Sequence, residues 1–153
     1  MAEIPKGFTY DSLAVGQRSV SKGRTVTETD HGLFMMLTGA WHPIHADEHY
    51  ARTTVLGRRF AQGTLGIALA LGNLEAEILV SADPLVAALG IAQWNYKCPI
   101  FIGDTLHAAV EIVGIELTKS GERYIVSRRV ELINQDDRNI QEGTVRSLFQ
   151  RQS

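Results

Sequence analysis

Thr64-Leu65-Gly66-Ile67-Ala68-Leu69-Ala70-Leu71-Gly72-Asn73-Leu74-Glu75-Ala76-Glu77-Ile78-Leu79 is the stretch on which the fold turns. Its spacing predicts a helix over 64–79. Leu65, Ile67, Ala68, Leu69 and Leu71 cover most of its circumference, and a helix apolar nearly all round has to be buried. At 1.5 Å per residue it would run roughly 24 Å. Glu75 and Glu77 are expected on its solvated far end.

What buries this helix follows in the chain. From Ile91 to Lys97, Ala92, Trp94 and Tyr96 alternate with Gln93, Asn95 and Lys97. From Thr105, Leu106, Ala108, Val110 and Ile112 alternate with His107 and Glu111. Period-two runs mark half-buried strands. Lys119-Ser120-Gly121 is a turn, Tyr124 to Ile133 a further strand, Gln135 to Asn139 a second turn, and Ile140 to Phe149 a last strand. Short turns between consecutive strands imply an antiparallel meander. One buried helix and one meander make an α+β domain, an antiparallel sheet wrapped around a long central helix. A single layer of this kind leaves a sheet edge uncovered, for which a homodimer or higher homo-oligomer is the expected remedy.

The N-terminal half is mixed. Arg18 to Thr27 reads as a strand. Thr29 or Asp30 caps a short helix, His31 to Leu37, ended by Gly39, and Asp47 caps another, Glu48 to Arg52. The 153 residues suit one domain over 1–153, with 44% apolar and 21% charged residues. A net charge of −2 argues against a nucleic-acid surface. The longest apolar stretch, Leu65 to Leu71, falls short of the roughly 20 residues that span a bilayer, so no membrane association is expected. Met1 to Lys6 contains no apolar signal-peptide core, and the one cysteine, Cys98, cannot form an internal disulfide. A cytoplasmic protein is the expectation.

The chemistry concentrates in Leu37-Thr38-Gly39-Ala40-Trp41-His42-Pro43-Ile44-His45-Ala46-Asp47-Glu48, followed by Gly57-Arg58-Arg59-Phe60-Ala61-Gln62-Gly63-Thr64-Leu65. Gly63 and Thr64 stand where the buried helix should begin, and a glycine without Cβ lets a ligand approach the backbone closely. Four of the five histidines, His31, His42, His45 and His49, lie near one another, a spacing that raises metal binding. A helix starting after Asp47 would keep His45 and His49 off one face, and no metal is expected.

The pair of segments resembles the MaoC-like dehydratases, the family of (R)-specific enoyl-CoA hydratases. Their hallmark runs small-Gly-Asp-x-Asn-Pro-Ile-His-x-Asp, then Gly-x-Arg-Ile-Ala-His-Gly-Met. Gly39, Pro43, Ile44, His45, Asp47, Arg59, Ala61 and Gly63 match it. Lys97-Cys98-Pro99-Ile100-Phe101-Ile102-Gly103-Asp104-Thr105-Leu106 is similar to the family's Arg-Pro-Val-Phe-x-Gly-Asp-Thr-Leu. The resemblance spans about Phe8 to Leu132. It implies a hot-dog fold, reversible hydration of a 2-enoyl thioester on CoA or ACP, and no cofactor. It also implies His45 as the acid–base residue, and backbone N–H groups at Gly63 and Thr64 facing the thioester carbonyl. Gln62, Arg59 and Trp41 are the further substrate-contact candidates: Arg59 for CoA phosphates, with Arg58 and Lys97 behind it, and Trp41 as pocket wall or core.

One departure bears on activity. The family's Asp, which holds the reacting water with the histidine, falls on Ala40. His42 replaces the family Asn, and Gln62 the second His. His42 is a candidate to supply the missing group. A non-catalytic acyl-CoA binder and a hot-dog thioesterase stay open as alternatives. The latter usually needs a carboxylate in the first turns after Gly63, and none is present there.

Overall fold

A sheet curls around the central helix in the computed structural model, which describes residues 2–152, but it covers that helix on one side only. Leu65, Gly66 and Ala70 are buried, whereas Thr64, Ala68 and Gly72 are exposed, so the expected all-round burial is met in part. The sheet has six strands: β1 (Arg18–Val20), β2 (Arg24–Thr25), β3 (Leu85–Tyr96), β4 (Thr105–Leu117), β5 (Arg123–Ile133) and β6 (Asn139–Gln150). They lie in the order β1-β4-β5-β6-β3, with β2 beside β4, and all pairings between them are antiparallel. The helices are α1 (Glu28–Thr38), α2 (Pro43–Ala46), α3 (Glu48–Arg52) and α4 (Gly63–Leu69). No helix among the described residues is long and apolar enough to cross a membrane.

The inward faces of the strands follow the alternation in the sequence. Leu106, Ala108, Val110 and Ile112 of β4 join Val126 and Val130 of β5 and Val145 of β6 around Leu65, Ala70 and Leu74 of the helix. Each such fully buried Leu or Ile contributes about 1.5–3 kcal/mol of apolar burial. Asp83 ties distant segments beneath them: it accepts bonds from the Tyr10 N–H, the Tyr124 hydroxyl and the Gln152 N–H at 2.9, 2.9 and 3.1 Å.

Several boundaries differ from the sequence reading. The 18–27 segment is two strands, because the Ser21 hydroxyl takes the Ala108 N–H (2.9 Å) and ladder pairing resumes only at Arg24. Thr27, not Thr29 or Asp30, caps α1. Asp30 is instead the third helical residue of a capping box, its carboxylate accepting from the Thr27 N–H at 2.8 Å. β3 begins at Leu85 and carries a bulge between Ala92 and Asn95, where Gln93 adopts φ 53°. The central helix is not regular throughout. A π turn, Ala70–Leu74, follows α4, with Gly72 out of helical geometry.

Glu75 is the larger correction. It is 4% exposed, and its carboxylate pairs with the guanidinium of Arg128 on β5, itself 6% exposed. Arg128 donates from Nε and Nη2 to Glu75, the latter at 3.2 Å, and from Nη1 to Ser147 Oγ at 2.9 Å. Its partner lies 53 residues away, so no local pattern could reveal it. Glu77 is exposed as expected. Trp41 is not core: its side chain is 55% exposed.

Among the described residues β3 pairs only with β6, and it carries an apolar outer edge, with Leu85, Leu89, Ile91 and Tyr96 between 46% and 62% exposed.

The buried ion pair gives a test of the fold. Removing one partner strands a charge in the core, so Glu75→Ala should cost about 3–5 kcal/mol of unfolding free energy. Replacing both partners with apolar residues, Glu75→Leu with Arg128→Met, should recover most of that loss. Urea denaturation of the three chains measures it, and a Glu75→Ala cost below 1 kcal/mol would contradict the burial described.

Candidate functional site

The loop that carries the histidines is assembled by caps. α1 ends at Gly39, whose φ of 68° suits a residue without Cβ and whose N–H bonds Met35 O at 2.9 Å. His42 then caps α2, its Nδ1 accepting from the Ile44 N–H at 3.2 Å, and Pro43 occupies the first helical position. Asp47 caps α3 by accepting from the Tyr50 N–H at 2.9 Å. Arg59 staples the outside of this loop, donating to Glu28 on α1 (2.8 Å) and to Glu48 on α3 (3.1 Å). Those bonds hold the Glu28 carboxyl below, and the Arg59 guanidinium above, their ordinary pKa ranges.

These restraints fix His45. Its Nδ1 lies 2.7 Å from the carbonyl oxygen of Phe60. A carbonyl only accepts, so Nδ1 carries the hydrogen and a neutral ring presents the Nε2 lone pair. From below, the buried His31 points its Nε2 at the His45 carbonyl oxygen, 2.9 Å away, and must likewise donate. The Phe60 ring meets the imidazole edge-on with centroids 5.1 Å apart. Burial lowers the pKa of His45 below 6.5. The Phe60 bond opposes that shift, and the nearby His31 and His42 reinforce it. His45 is therefore neutral near pH 7.

His45 borders a pocket of about 550 Å³, with Gln62, Gly63, Thr64, Tyr96 and Gln141 among its walls. Gly63 and Thr64 open α4, and the first N–H groups of a helix have no partner within it. Gln62 is 5% exposed. Its Nε2 donates to the carbonyl of Ala40 at 2.9 Å, and its Oε1 is buried without a partner. Ala40 thus lies against the wall of the pocket by its backbone, while its methyl group offers nothing to water.

The sequence candidates divide. His45, Gln62, Gly63 and Thr64 meet at the pocket. Trp41, His42 and Arg59 are outside its lining. The His42 ring is exposed, with its centroid 6.4 Å from that of His45. Arg59 is occupied by Glu28 and Glu48, and the Arg58 guanidinium stacks on the Phe101 ring at 3.5 Å. Of the three cations weighed for phosphate contact, only Lys97 borders the pocket, and its ammonium pairs with Glu142 at 2.8 Å. That bond, with help from Arg129, depresses the Glu142 carboxyl to about 2. Tyr96 and Gln141 line the pocket beyond the sequence candidates. Tyr96 hides in the alternation of a strand, whereas Gln141 is a polar residue at an inward position of β6, a signal that could have been used.

Residues 12–134 match the family model described as a MaoC like domain. An (R)-specific enoyl-CoA hydratase from Rhodospirillum rubrum is 35% identical over 69% of this chain and 70% of its own length. A 3-hydroxybutyryl-CoA dehydratase from Methylorubrum extorquens is 32% identical over 67% of this chain, and the match spans 62% of that protein. Among solved structures, a monoamine oxidase regulatory protein from Archaeoglobus fulgius superposes with a TM-score of 0.88 at 29% identity, covering 99% of each chain. A Mycobacterium tuberculosis protein with a double hotdog fold superposes with a TM-score of 0.81 at 19% identity, over 95% of this chain and 45% of its own. The fold is a hot-dog, and the chain belongs to the MaoC-like dehydratase family.

Proposed function

We propose that this chain binds an acyl thioester of CoA or ACP in the pocket beside His45 and reversibly hydrates the 2-enoyl form to the 3-hydroxyacyl thioester. The observation that carries this is the tautomer of His45. The Phe60 carbonyl holds hydrogen on Nδ1, which leaves a basic Nε2 on a ring that borders the same pocket as the Gly63 and Thr64 backbone.

The steps follow from that arrangement. Nε2 takes a proton from water as the water oxygen bonds to Cβ. The π electrons of the enoyl group move onto the thioester oxygen, where the Gly63 and Thr64 N–H groups stabilise the charge. The imidazolium then returns the proton to Cα, so one water is added and His45 is regenerated. Gln62, through its bond to Ala40, keeps the loop wall against the helix start. The exposed outer edge of β3 supports a homodimer, since pairing two such edges would cover Leu85, Leu89 and Ile91. A cytoplasmic location accords with a thioester substrate.

Ala40 favours a second reading, a non-catalytic acyl-thioester binder, because the family's second water-holding group is missing. The two readings are separated by the loss of enoyl-thioester absorbance when a 2-enoyl-CoA is added. Turnover supports the first. Tight binding with no loss at high protein concentration supports the second.

Two expectations follow from the site. His45→Ala should lower kcat, and Ala40→Asp should raise it, each on the order of 10²–10⁴-fold, the usual worth of one acid–base group. Steady-state hydration rates of the two variants check this, and an unchanged rate in Ala40→Asp would remove the role assigned to position 40. Because only neutral His45 accepts the proton, kcat/KM should be level above pH 7 and fall on acidification, with a midpoint below the ordinary histidine value of 6.5. A pH profile with its midpoint above 7 would contradict this.

A further inference from the structure

Gln141 has no place in the chemistry above, yet it is one of the most deeply buried polar residues, 1% exposed, and it borders the pocket. Its amide orientation is fixed by its partners. Trp94 Nε1, which can only donate, lies 3.0 Å from Gln141 Oε1. The carbonyl oxygen of Gly63, which can only accept, lies 3.0 Å from Gln141 Nε2. A chain of hydrogen bonds therefore runs from the indole through the side-chain amide into the first peptide of α4. The sequence makes room for it with two glycines. A Cβ at Gly66 would collide with the Gln141 amide, and a Cβ at Gly143 with the Trp94 ring.

The end of this chain is the Gly63–Thr64 peptide. The Gly63 carbonyl and the Thr64 N–H belong to one planar trans unit and point in opposite directions. A bond that holds the carbonyl also fixes the direction of the N–H. Hydrogen bonds in series polarise one another, so donation into the carbonyl makes the N–H a stronger donor. We infer that Gln141, backed by Trp94, is a positioning residue that aims and polarises the Thr64 N–H toward the thioester carbonyl oxygen of the substrate. This rests on the thioester reading above. It goes beyond that reading by assigning a role to two side chains that would not touch the reacting atoms.

The test uses the full chain and two variants. Gln141→Met keeps the length but removes the donor to Gly63. Trp94→Phe keeps a ring over Gly143 but removes the donor to Gln141, and it serves where the first variant fails to fold. In the free protein, the Thr64 amide proton resonance should move upfield in both variants. The downfield shift of that resonance on adding a saturated acyl-CoA, butyryl-CoA, should shrink as well. Hydration of crotonyl-CoA, measured in the natural chain and in Ala40→Asp, should lose about tenfold in kcat with Gln141→Met and about threefold with Trp94→Phe. KM should stay within about twofold in both, since one indirectly held donor is worth less than a deleted one. An unmoved Thr64 resonance, or kcat and KM that change together with a fall in melting temperature, would overturn the inference and leave Gln141 a structural strut. Absence of binding and turnover in every chain would instead defeat the thioester reading, and the free-protein resonance would still decide the relay.

Discussion

The central helix buries Leu65, Ala70 and Leu74 on one side and leaves Thr64, Ala68 and Gly72 exposed on the other, and the rest of this molecule is arranged by the need to cover the apolar side. The long strands β4, β5 and β6 turn their alternate residues toward it, and the antiparallel order lets short turns connect them. The start of the helix, at Gly63 and Thr64, borders the pocket beside His45. There the Gly63 and Thr64 N–H groups have no partner within the helix, while the Leu65 N–H already bonds the Gln62 carbonyl at 3.0 Å, and a glycine stands in place of a larger side chain. Burial of the helix's apolar side and exposure of its first peptide are thus two consequences of one packing solution.

The histidine loop is fastened to that point by backbone acceptors. The Phe60 carbonyl and the His45 carbonyl each take one ring N–H, from His45 and His31. Both bonds select a tautomer, and the first leaves Nε2 free. The ion pairs of Arg59 work at the loop's outer side, where partial exposure limits each to a modest stabilising effect. Their value is geometric: they hold α1 and α3 at a fixed separation while α2, only four residues long, carries the His45 ring.

How legible was this in the chain? The inward residues of β4, the helix stop at Gly39 and the cap at Asp47 are local signals, and each holds in the structure. The π turn and the bulge at Gln93 interrupt the local periodicity, and the Glu75–Arg128 pair joins residues far apart in sequence, so no local pattern carries them. At the site, motif spacing gathers His45, Gln62, Gly63 and Thr64. It gives Arg59 a phosphate role, whereas its partners are Glu28 and Glu48, the first 31 positions away. Gln141 lies 78 residues from the peptide it holds, so its part is invisible until the sheet closes on the helix.

Alanine at position 40 changes more than the count of groups around a water. A carboxylate close to an imidazole favours the charged ring and raises its pKa. Here burial and two neighbouring histidines lower it instead. The effect on the two proton transfers is opposite. A less basic Nε2 is a weaker acceptor from water, but the imidazolium it becomes is a stronger acid toward Cα. Hydration begins with the first transfer. Dehydration, by microscopic reversal, begins with removal of the Cα proton by the same nitrogen. Lowering the pKa of a single shuttling group therefore weakens the opening step in both directions, and it strengthens the return of the proton in both. In the hydration proposed above, the stabilisation that remains would come from the oxyanion side, which would place the greater burden on the Gly63–Thr64 peptide and on whatever holds it in position.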